Sequence, residues 1–445
     1  MLDETQTQTQ AQAEARSQAG TDPAAISPAP RASVWPTRLL VVGLVLAALN
    51  LRPAITSLGA LLEEVRDGLH MSGTVAGVLT SVPPFCFAVF GFAAPRLARR
   101  FGPRAVVCAG MVAITGGLLL RPLAGGTVGF LAASAFALMG IALTNVLMPV
   151  IVKRYFPDRV GTMTGLYSMA LAFGTAAAAA ATVPMTQAMG GSWRMGLGIW
   201  GALAAVAVLP WLALVRHRDA GAAPAAMPPA ATSPGAASPT TPQSSETPRL
   251  RLARSRTAWA LAGFFGLQAT GAYIAMGWMP QIFRDAGVSA STSGLLLAVT
   301  MVMGVPLAFV IPGLAARMKN QGAIVVVLGL CGLTAYAGLY FAPAGGAWIW
   351  AVLLGISNCT FPLSLTMISM RSRTSAGVVR LSAFAQSTGY LLSIPGPLLV
   401  GVLYQHSGGW ALPIALMGGF LVPQMVVGVI AGRDRTIEDE AKMAH

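Results

Sequence analysis

The stretch ALNLRPAITSLG, residues 48–59, places a permanent positive charge inside an apolar run that is long enough to cross a membrane. Arg52 lies fourteen residues beyond Arg38, or about 21 Å along a helix, past the middle of a hydrocarbon core roughly 30 Å thick. An unpaired guanidinium at that depth costs roughly 2.5–3.5 kcal/mol on insertion scales. The chemistry that this residue type offers there is anion binding.

The sequence supplies no carboxylate at the depth of Arg52. Every Asp and Glu lies in a tail, in a connection or at a helix end, and Glu63 and Glu64 follow about 17 Å further along the helix. Pro53 removes a backbone donor and frees the carbonyl of Leu49, which kinks the helix beside the charge. Three explanations stay open: an anionic ligand, which we favour, a structural network of Arg52 with freed carbonyls, or snorkelling to the outer surface.

Other polar and aromatic residues of the apolar segments have plainer expected roles. Asn50 and Arg52 are about 200° apart around a regular helix, so they share one cavity only if the helix is distorted at Pro53. Otherwise Asn50 is expected to hydrogen-bond between helices. Arg121, at the outer end of the third helix, is expected to snorkel. Three tryptophans near helix ends are expected to anchor the helices at the membrane surface: Trp278, Trp348 and Trp410.

The composition describes an integral membrane protein. Of the 445 residues 55% are hydrophobic and only 10% are charged, which excludes an ordinary soluble domain. The net charge of +14 has a topological explanation, because basic residues concentrate on alternate connections, while the others hold only Arg66, Arg194 and Arg284. This positive-inside pattern places both termini in the cytoplasm and needs no nucleic acid. The four cysteines fit neither a metal site nor a disulfide framework.

Apolar runs of about twenty residues predict twelve membrane helices in two sets of six. The first set is predicted at 38–61, 73–95, 104–123, 127–152, 160–186 and 193–215. The second set is predicted at 257–283, 291–315, 322–342, 346–369, 376–404 and 409–431. The domains are therefore a disordered tail (1–36), a six-helix bundle (37–215), a Pro, Ala and Ser rich cytoplasmic linker (216–256), a second bundle (257–432) and a cytoplasmic tail (433–445).

The two halves resemble each other at corresponding places. NVLMP at 145–149 in the fourth helix has a counterpart in NCTFP at 358–362 in the tenth. LYSMALAFG, ending at Gly174, aligns with LSAFAQSTG, ending at Gly389. Such repeats are typical of transporters that bind a substrate at mid-membrane between two halves.

Longer matches connect the chain to a known family. LNLRPAITSLG, NVLMPVIVKRYFPDRVGTMTGLYS, GLQATGAYIAMGWMP and LSAFAQSTGYLLSIPGPLLVG come from both halves. On these motifs the sequence resembles the major facilitator superfamily and, within it, the cyanate and 2-nitroimidazole transporter family, over roughly residues 37–432. The resemblance implies an all-α membrane protein of twelve helices in two pseudo-repeats, in which helices one, four, seven and ten line a central cavity.

That implied cavity defines the candidate site. The residues that the resemblance brings toward the substrate are Arg52, Asn50, Asn145, Gln268, Tyr273, Asn358, Gln386 and Tyr390. Each amide or phenol has the plain alternative of joining neighbouring helices. Helix breaks or gating points are expected at Pro53, Pro149, Pro362 and Pro395.

The loop between the second and third helices departs from the superfamily pattern. The usual Gly-x-Leu-Ala-Asp-Arg-x-Gly-Arg-Arg reads PRLARRFGPR here, so Arg99 stands where an Asp helps to hold the halves together. The residues that remain are expected to form a cytoplasmic gating loop: Leu97, Arg100, Gly102 and Arg104. The plainer explanation is a basic loop that only enforces topology.

These observations predict a secondary transporter rather than an enzyme. It is expected to move a small anionic or polar solute, a cyanate-like anion or a nitroimidazole-like heterocycle, by alternating access across the inner membrane. The alternatives are an uncoupled facilitator or channel for small anions, or a drug or metabolite exporter of the same superfamily. We expect no cofactor, no metal, no nucleic acid, a lipid bilayer and one solute as partners, and a monomer.

Overall fold

The computed structural model describes residues 34–216 and 252–443, and all regular elements in these ranges are helices. Most of the predicted tail 1–36 and linker 216–256 lie outside the described residues. The helices of the N-half are α1 (Val34–Asn50), α2 (Pro53–Ala60), α3 (Leu62–Gly68), α4 (Gly73–Phe101), α5 (Pro103–Leu120), α6 (Thr127–Tyr155), α7 (Val160–Ala188) and α8 (Trp193–Arg216).

The C-half contains ten further helices. They are α9 (Arg256–Asp285), α10 (Ala290–Val302), α11 (Gly304–Arg317), α12 (Gly322–Phe341), α13 (Ala347–Ser357), α14 (Thr360–Met370), α15 (Ser375–Ser393), α16 (Pro395–Ser407), α17 (Ala411–Ala431) and α18 (Ile437–Met443). Short 3₁₀ turns follow α5 at Arg121–Leu123, precede α7 at Pro157–Arg159 and precede α9 at Leu252–Arg254.

Eleven segments of the described chain are long and apolar enough to cross a membrane. The predicted seventh span corresponds to α9, whose 30 residues reach about 45 Å but whose glycine, glutamine and threonine residues lower its hydropathy. Most of α9 is buried against other helices, so it needs less apolar surface than a lipid-facing helix. The predicted all-α membrane fold is confirmed, and α9 supplies the twelfth span.

Four of the spans are interrupted partway along their length. The breaks lie between α1 and α2, between α10 and α11, between α13 and α14, and between α15 and α16. Pro53 and Pro395 each occupy the first turn of the helix that follows a break, where a missing amide hydrogen costs nothing. Pro362 follows the third break, and the carbonyl of Asn358, which cannot accept from this proline, accepts from the Phe361 amide instead (3.1 Å).

The expected break at Pro149 does not occur. The helix α6 continues from Thr127 to Tyr155 through this proline. It packs against both α4 and α5, and such packing lets a membrane helix tolerate one lost backbone hydrogen bond.

The two halves are closed against each other at one end of the bundle. We call it the Arg284 end; it carries the α3 carboxylates Glu63 and Glu64 and, facing them, Arg284 at the end of α9. Here α4 packs against α16 so closely that a methyl group added to Gly401 would overlap the backbone of Gly73 and Gly77. The helices α2 and α9 also meet on this side, and the Arg284 end is therefore sealed.

Polar contacts reinforce this closure. The Trp278 indole N–H donates to the Thr80 hydroxyl (3.1 Å), and the Gly73 amide donates to the Gln405 side chain (2.6 Å). The Arg284 guanidinium pairs with Glu63 (2.8 Å) and Glu64 (2.9 Å). Within residues 34–216 and 252–443, the hydrogen bonds and ion pairs that join the two halves lie at this end, apart from the contact between the Arg52 guanidinium and the Tyr273 hydroxyl at the helix break.

The tryptophans behave differently from one another. Trp278 is fully buried at the contact between the halves, and its indole N–H donates to Thr80. The expectation that it anchors its helix at the membrane surface is therefore wrong. Trp410 donates to the Asp285 carboxylate, and Trp348 is exposed on the surface of the bundle.

The opposite end, which we call the Arg371 end, is held together only within the C-half. Arg371 at the end of α14 is buried and donates to the carbonyls of Ala431 and Gly432 and to the side chain of Gln321. Among the described residues, no hydrogen bond or ion pair connects this end of the C-half to the N-half. The predicted topology assigns the Arg371 end to the cytoplasm.

Candidate functional site

Arg52 occupies the interruption between α1 and α2. The first helix ends at Asn50, and Arg52 precedes Pro53 as the residue that caps α2. The backbone carbonyl of Arg52 accepts from the Ile55 amide at 2.9 Å, while its half-buried side chain extends toward the contact between the halves. No carboxylate within the described ranges pairs with this guanidinium.

An aromatic cluster surrounds the Arg52 side chain. We give this name to Phe87 of α4, Phe265 and Tyr273 of α9 and Tyr390 of α15. The Arg52 guanidinium carbon lies 6.0 Å from the centre of the Phe87 ring. Phe87 stacks on Tyr390 with ring centres 5.1 Å apart, and Phe265 meets Tyr390 edge-on at the same distance. The cluster therefore draws on both halves of the protein.

The two phenols complete the polar part of the site. Tyr273 and Tyr390 both lie within electrostatic range of the Arg52 charge. Phenol hydroxyls and a guanidinium all donate hydrogen bonds, and the start of α2 adds the positive end of a helix dipole. The arrangement can hold a small anion, and the ring faces can hold a flat ligand.

The network of freed carbonyls around Arg52 does not form. The Leu49 carbonyl that Pro53 releases lies against Gly174 of α7, where a side chain would not fit. The Ala54 carbonyl accepts from Arg121 instead, at 2.7 Å. Arg52 is thus left with aromatic and phenolic neighbours rather than with the backbone of its own helix.

Arg121 contradicts the expectation that it snorkels. Its side chain is 0% exposed and points into the N-half, where the Nε–H donates to the Ser134 hydroxyl at 2.9 Å. The reason is local: the 3₁₀ turn Arg121–Leu123 directs the side chain back toward α2 and α6 rather than toward the membrane surface.

Two candidate amides are tied up within their own helices. The buried Asn50 amide donates to the Leu46 carbonyl one turn earlier (2.8 Å). Asn50 therefore does not face the same cavity as Arg52, in agreement with the separation of about 200° between the two side chains around the helix. Gln386 donates to the Ser382 hydroxyl one turn earlier on α15 (2.6 Å).

Gln268 and Asn358 form a separate polar pair. The Gln268 amide donates to the Asn358 side-chain oxygen at 3.3 Å and to the Asn358 backbone carbonyl at 3.4 Å. Three polar residues that sequence reasoning missed line the same small cavity of the C-half: Tyr336, Ser357 and Gln424. Asn145 is half-buried on α6 and makes no side-chain hydrogen bond in the described part of the chain.

The predicted gating loop stays within the N-half. Gly102 ends α4 with a φ of +83°, a conformation that glycine adopts easily. The Arg104 guanidinium covers the Tyr155 ring at 4.2 Å, and Arg100 lies 5.2 Å from the ring of its neighbour Phe101. Leu97 packs on the large apolar cluster that is formed mainly by the N-half. The aromatic partners of Arg100 and Arg104 both belong to the N-half.

The aromatic residues of the site were not found from the sequence. Phe87 and Phe265 stand in apolar runs where a phenylalanine most often faces lipid or core, and their spacing carries no signal of a site. Only the packing of α4 against α9 and α15 brings them to Arg52.

Comparison with known proteins identifies the family. The family sequence model of the Major Facilitator Superfamily matches residues 40–397 of this chain. The chain belongs to this superfamily. It is 34% identical to an uncharacterized transporter, YycB, of Bacillus subtilis, over 91% of this chain and 96% of that protein. It is 30% identical to the 2-nitroimidazole transporter and 28% identical to the cyanate transport protein CynX of Escherichia coli, over 90% and 87% of this chain and 96% of each relative.

The fold of this chain is similar to the folds of solved transporter structures. The nucleoside transporter NupG, in a D323A mutant, matches with a TM-score of 0.69 over 88% of this chain and 99% of its own length, at 12% identity. A D-xylose–proton symporter matches with a TM-score of 0.66 over 91% of this chain and 99% of its own length, at 13% identity. The protein is a multi-pass membrane transporter and not an enzyme.

Proposed function

We propose that the protein is a secondary transporter that carries a small anion, of the size and charge of cyanate, by alternating access. The observation that carries the proposal is Arg52, a full charge at a helix break with no carboxylate partner among the described residues. A positive charge in that position attracts an anion and repels cations. The relatives named for cyanate and 2-nitroimidazole transport support this substrate class.

Alternating access has support in the uneven contact between the halves. The Arg284 end is closed by ion pairs, hydrogen bonds and close backbone packing, whereas the Arg371 end lacks polar contacts between the halves in the described part of the chain. Transporters of this architecture rock two halves around a fixed site. We propose an inner-membrane protein with both termini in the cytoplasm, which makes this conformation inward-facing.

A flat neutral heterocycle is the second candidate substrate. Phe87 and Tyr390 stack with an interplanar angle of 22°, and both border the Arg52 site. Aromatic faces bind planar rings by offset stacking. A nitroimidazole-like molecule would place its ring among them and its nitro oxygens toward Arg52.

A thermal-shift screen in detergent followed by counterflow in liposomes tests both candidates. Cyanate, nitrate, benzoate and 2-nitroimidazole are the ligands, and a true ligand raises the unfolding temperature in a saturable way. Saturable counterflow would support a carrier, while unsaturable flux would indicate a channel. If none of these ligands shifts the unfolding temperature, the proposed substrate classes are wrong.

A further inference from the structure

One end of the N-half carries a concentrated positive charge that the transport site does not use. We call this surface the basic corner; it lies at the Arg371 end, where α4 ends, α5 begins and α6 ends. Its members are Arg96, Arg99, Arg100, Arg104, Lys153, Arg154 and Arg159. Asp158 is the single carboxylate in the sequence from 92 to 160, and Arg99 adds a positive charge where the superfamily loop has an Asp.

The basic corner lacks charge compensation from the protein. None of its seven basic side chains forms an ion pair with another described residue. Arg96 donates to the Phe92 carbonyl of its own helix at 3.3 Å, and Arg104 is the one member that is half-buried rather than exposed. Like charges at one surface repel each other, and salt screens this repulsion only in part. The corner is therefore suited to an anionic partner.

The Tyr155 ring holds two of these charges close together. The guanidinium carbon of Arg104 lies 4.2 Å from the ring centre, and that of Arg154 lies 5.7 Å from it. An aromatic ring attracts a cation only weakly at an exposed site and does not neutralise it. The forked donors of a guanidinium match the oxygens of a phosphate group, so the pair offers a phosphate two such forks on one ring.

Apolar side chains at the same end identify the kind of phosphate. Phe92 and Phe101 are 50% and 52% exposed, and Val160 is 38% exposed. Arg100 lies 5.2 Å from the centre of the Phe101 ring. Exposed aromatic rings at the ends of membrane helices lie at the level of the lipid head groups. A free phosphate ion gains nothing from these side chains, whereas a phospholipid contacts them with its acyl chains.

We propose that the basic corner binds the phosphate group of an anionic phospholipid, such as phosphatidylglycerol. Each basic residue near the membrane surface adds to the attraction of an anionic lipid. A zwitterionic lipid such as phosphatidylcholine is attracted less, because it carries a cation of its own. The bound lipid joins the ends of α4, α5 and α6 and stabilises the N-half. This role adds to the effect of the same charges on topology and does not depend on the solute that binds at Arg52.

Titration with defined lipids in a neutral detergent tests the proposal. Phosphatidylglycerol is expected to raise the unfolding temperature in a saturable way, and phosphatidylcholine is not. The effect should weaken at high salt, because salt screens exposed charges. Inorganic phosphate is the third arm. If it gives the same saturable rise without lipid, the corner takes a free anion and the assignment to lipid is wrong.

Charge removal locates the binding surface. The triple variant Arg99→Gln, Arg104→Gln, Arg154→Gln is expected to need roughly 150-fold more phosphatidylglycerol for half-saturation, at about fivefold for each basic residue. The control triple variant Arg254→Gln, Arg317→Gln, Arg433→Gln removes the same charge from exposed residues of the C-half at the same end and should titrate like the wild type. Equal titration curves for both triple variants would overturn the proposal.

Native mass spectrometry provides a readout that does not depend on any variant. The wild type is expected to retain at least one phosphatidylglycerol molecule and no phosphatidylcholine, and a role of the corner in topology alone predicts no retained lipid. Arg52→Gln should retain phosphatidylglycerol like the wild type. Failure of the proposed anion transport at Arg52 therefore leaves the lipid proposal intact, while loss of the lipid in Arg52→Gln would contradict its assignment to the basic corner.

Discussion

At the scale of single residues, two arginines of the N-half differ in what compensates their charge. Arg52 has aromatic and phenolic neighbours and no acceptor from its own helix, whereas Arg121 is half-satisfied by Ser134 and Ala54. Both precede a proline, yet Arg121 is fully buried in the bundle and Arg52 only partly. The difference comes from which way a turn directs each side chain.

Replacing Arg52 by Gln should weaken binding of an anionic substrate by about 10- to 100-fold. A hydrogen bond to a charged group contributes roughly 1.5–3 kcal/mol, and each 1.4 kcal/mol is a factor of about ten. Isothermal titration with the ligand found in the screen measures the change. Arg317→Gln, at an exposed helix end, is the matched control and should bind normally. If Arg52→Gln binds the ligand as tightly as the wild type, Arg52 is not part of the anion site.

Replacing Tyr273 by Phe should weaken the same binding about 3- to 10-fold. The ring and its packing remain, so the variant loses only a neutral hydroxyl worth about 0.5–1.5 kcal/mol. Tyr336→Phe removes a hydroxyl from the Gln268 cavity of the C-half and serves as the control. If both variants bind like the wild type, the Tyr273 hydroxyl does not contact the substrate.

At the scale of elements, α18 fastens the start of two membrane helices. Glu440 accepts from Ser255 at 2.6 Å and from Thr257 at the beginning of α9. Glu438 accepts from the Ser372 hydroxyl at 2.6 Å, just before α15. The tail predicted for 433–445 thus contains an acidic helix that binds helix N-termini, where negative charge is favourable. Ile437 is buried beneath it.

Acidification should release α18. Burial alone would raise the pKa of Glu438, but hydrogen bonds from Ser372 and the Arg373 amide outweigh it and lower the pKa below its ordinary value of about 4.5. The ionised Glu438 carboxylate therefore stabilises the docking of α18 above about pH 4.5. This stabilisation is lost as the pH falls through the lowered pKa that Glu438 has in the folded protein. Hydrogen exchange of residues 437–443, corrected for the intrinsic rate, should therefore rise below about pH 4.5.

Variants identify the carboxylate responsible. Glu438→Gln should show increased exchange already at pH 7 and little further change on acidification. Asp434→Asn changes an exposed carboxylate outside α18 and should behave like the wild type. An unaltered pH response in Glu438→Gln would assign the release to another group.

At the scale of the whole molecule, the conformation depends on a closed Arg284 end. The ion pairs of Arg284 with Glu63 and Glu64 involve side chains that are partly exposed, so each contributes at most about 1 kcal/mol. The close backbone packing of α4 on α16 at Gly77 and Gly401 holds the two halves together in addition to the ion pairs. Opening this end must break both kinds of contact.

Reversing the charge of Arg284 should open that end. Arg284→Glu turns two attractions into repulsions and shifts the equilibrium by roughly 2 kcal/mol, or about thirtyfold. Spin labels at Gly125→Cys and Ala344→Cys, in a Cys331→Ser background, should then show a longer distance population. The other cysteines are buried.

Charge exchange provides the control. Adding Glu63→Arg and Glu64→Arg to Arg284→Glu restores opposite charges and should return the short distance. A distance distribution that does not change in Arg284→Glu would mean that packing alone keeps the end closed.

The sequence by itself determined the all-helical membrane fold, because long apolar runs have no other way to satisfy their backbone in lipid. It also located Arg52 and the helix interruptions at Pro53 and Pro395, because proline acts on its own backbone. Only the tertiary structure decided the rest. Phe87, Phe265 and Tyr390 reach Arg52 from three different helices, Arg121 turns inward, and Asn50 and Gln386 bond within their helices, since side-chain direction and partners depend on packing between segments far apart in the chain.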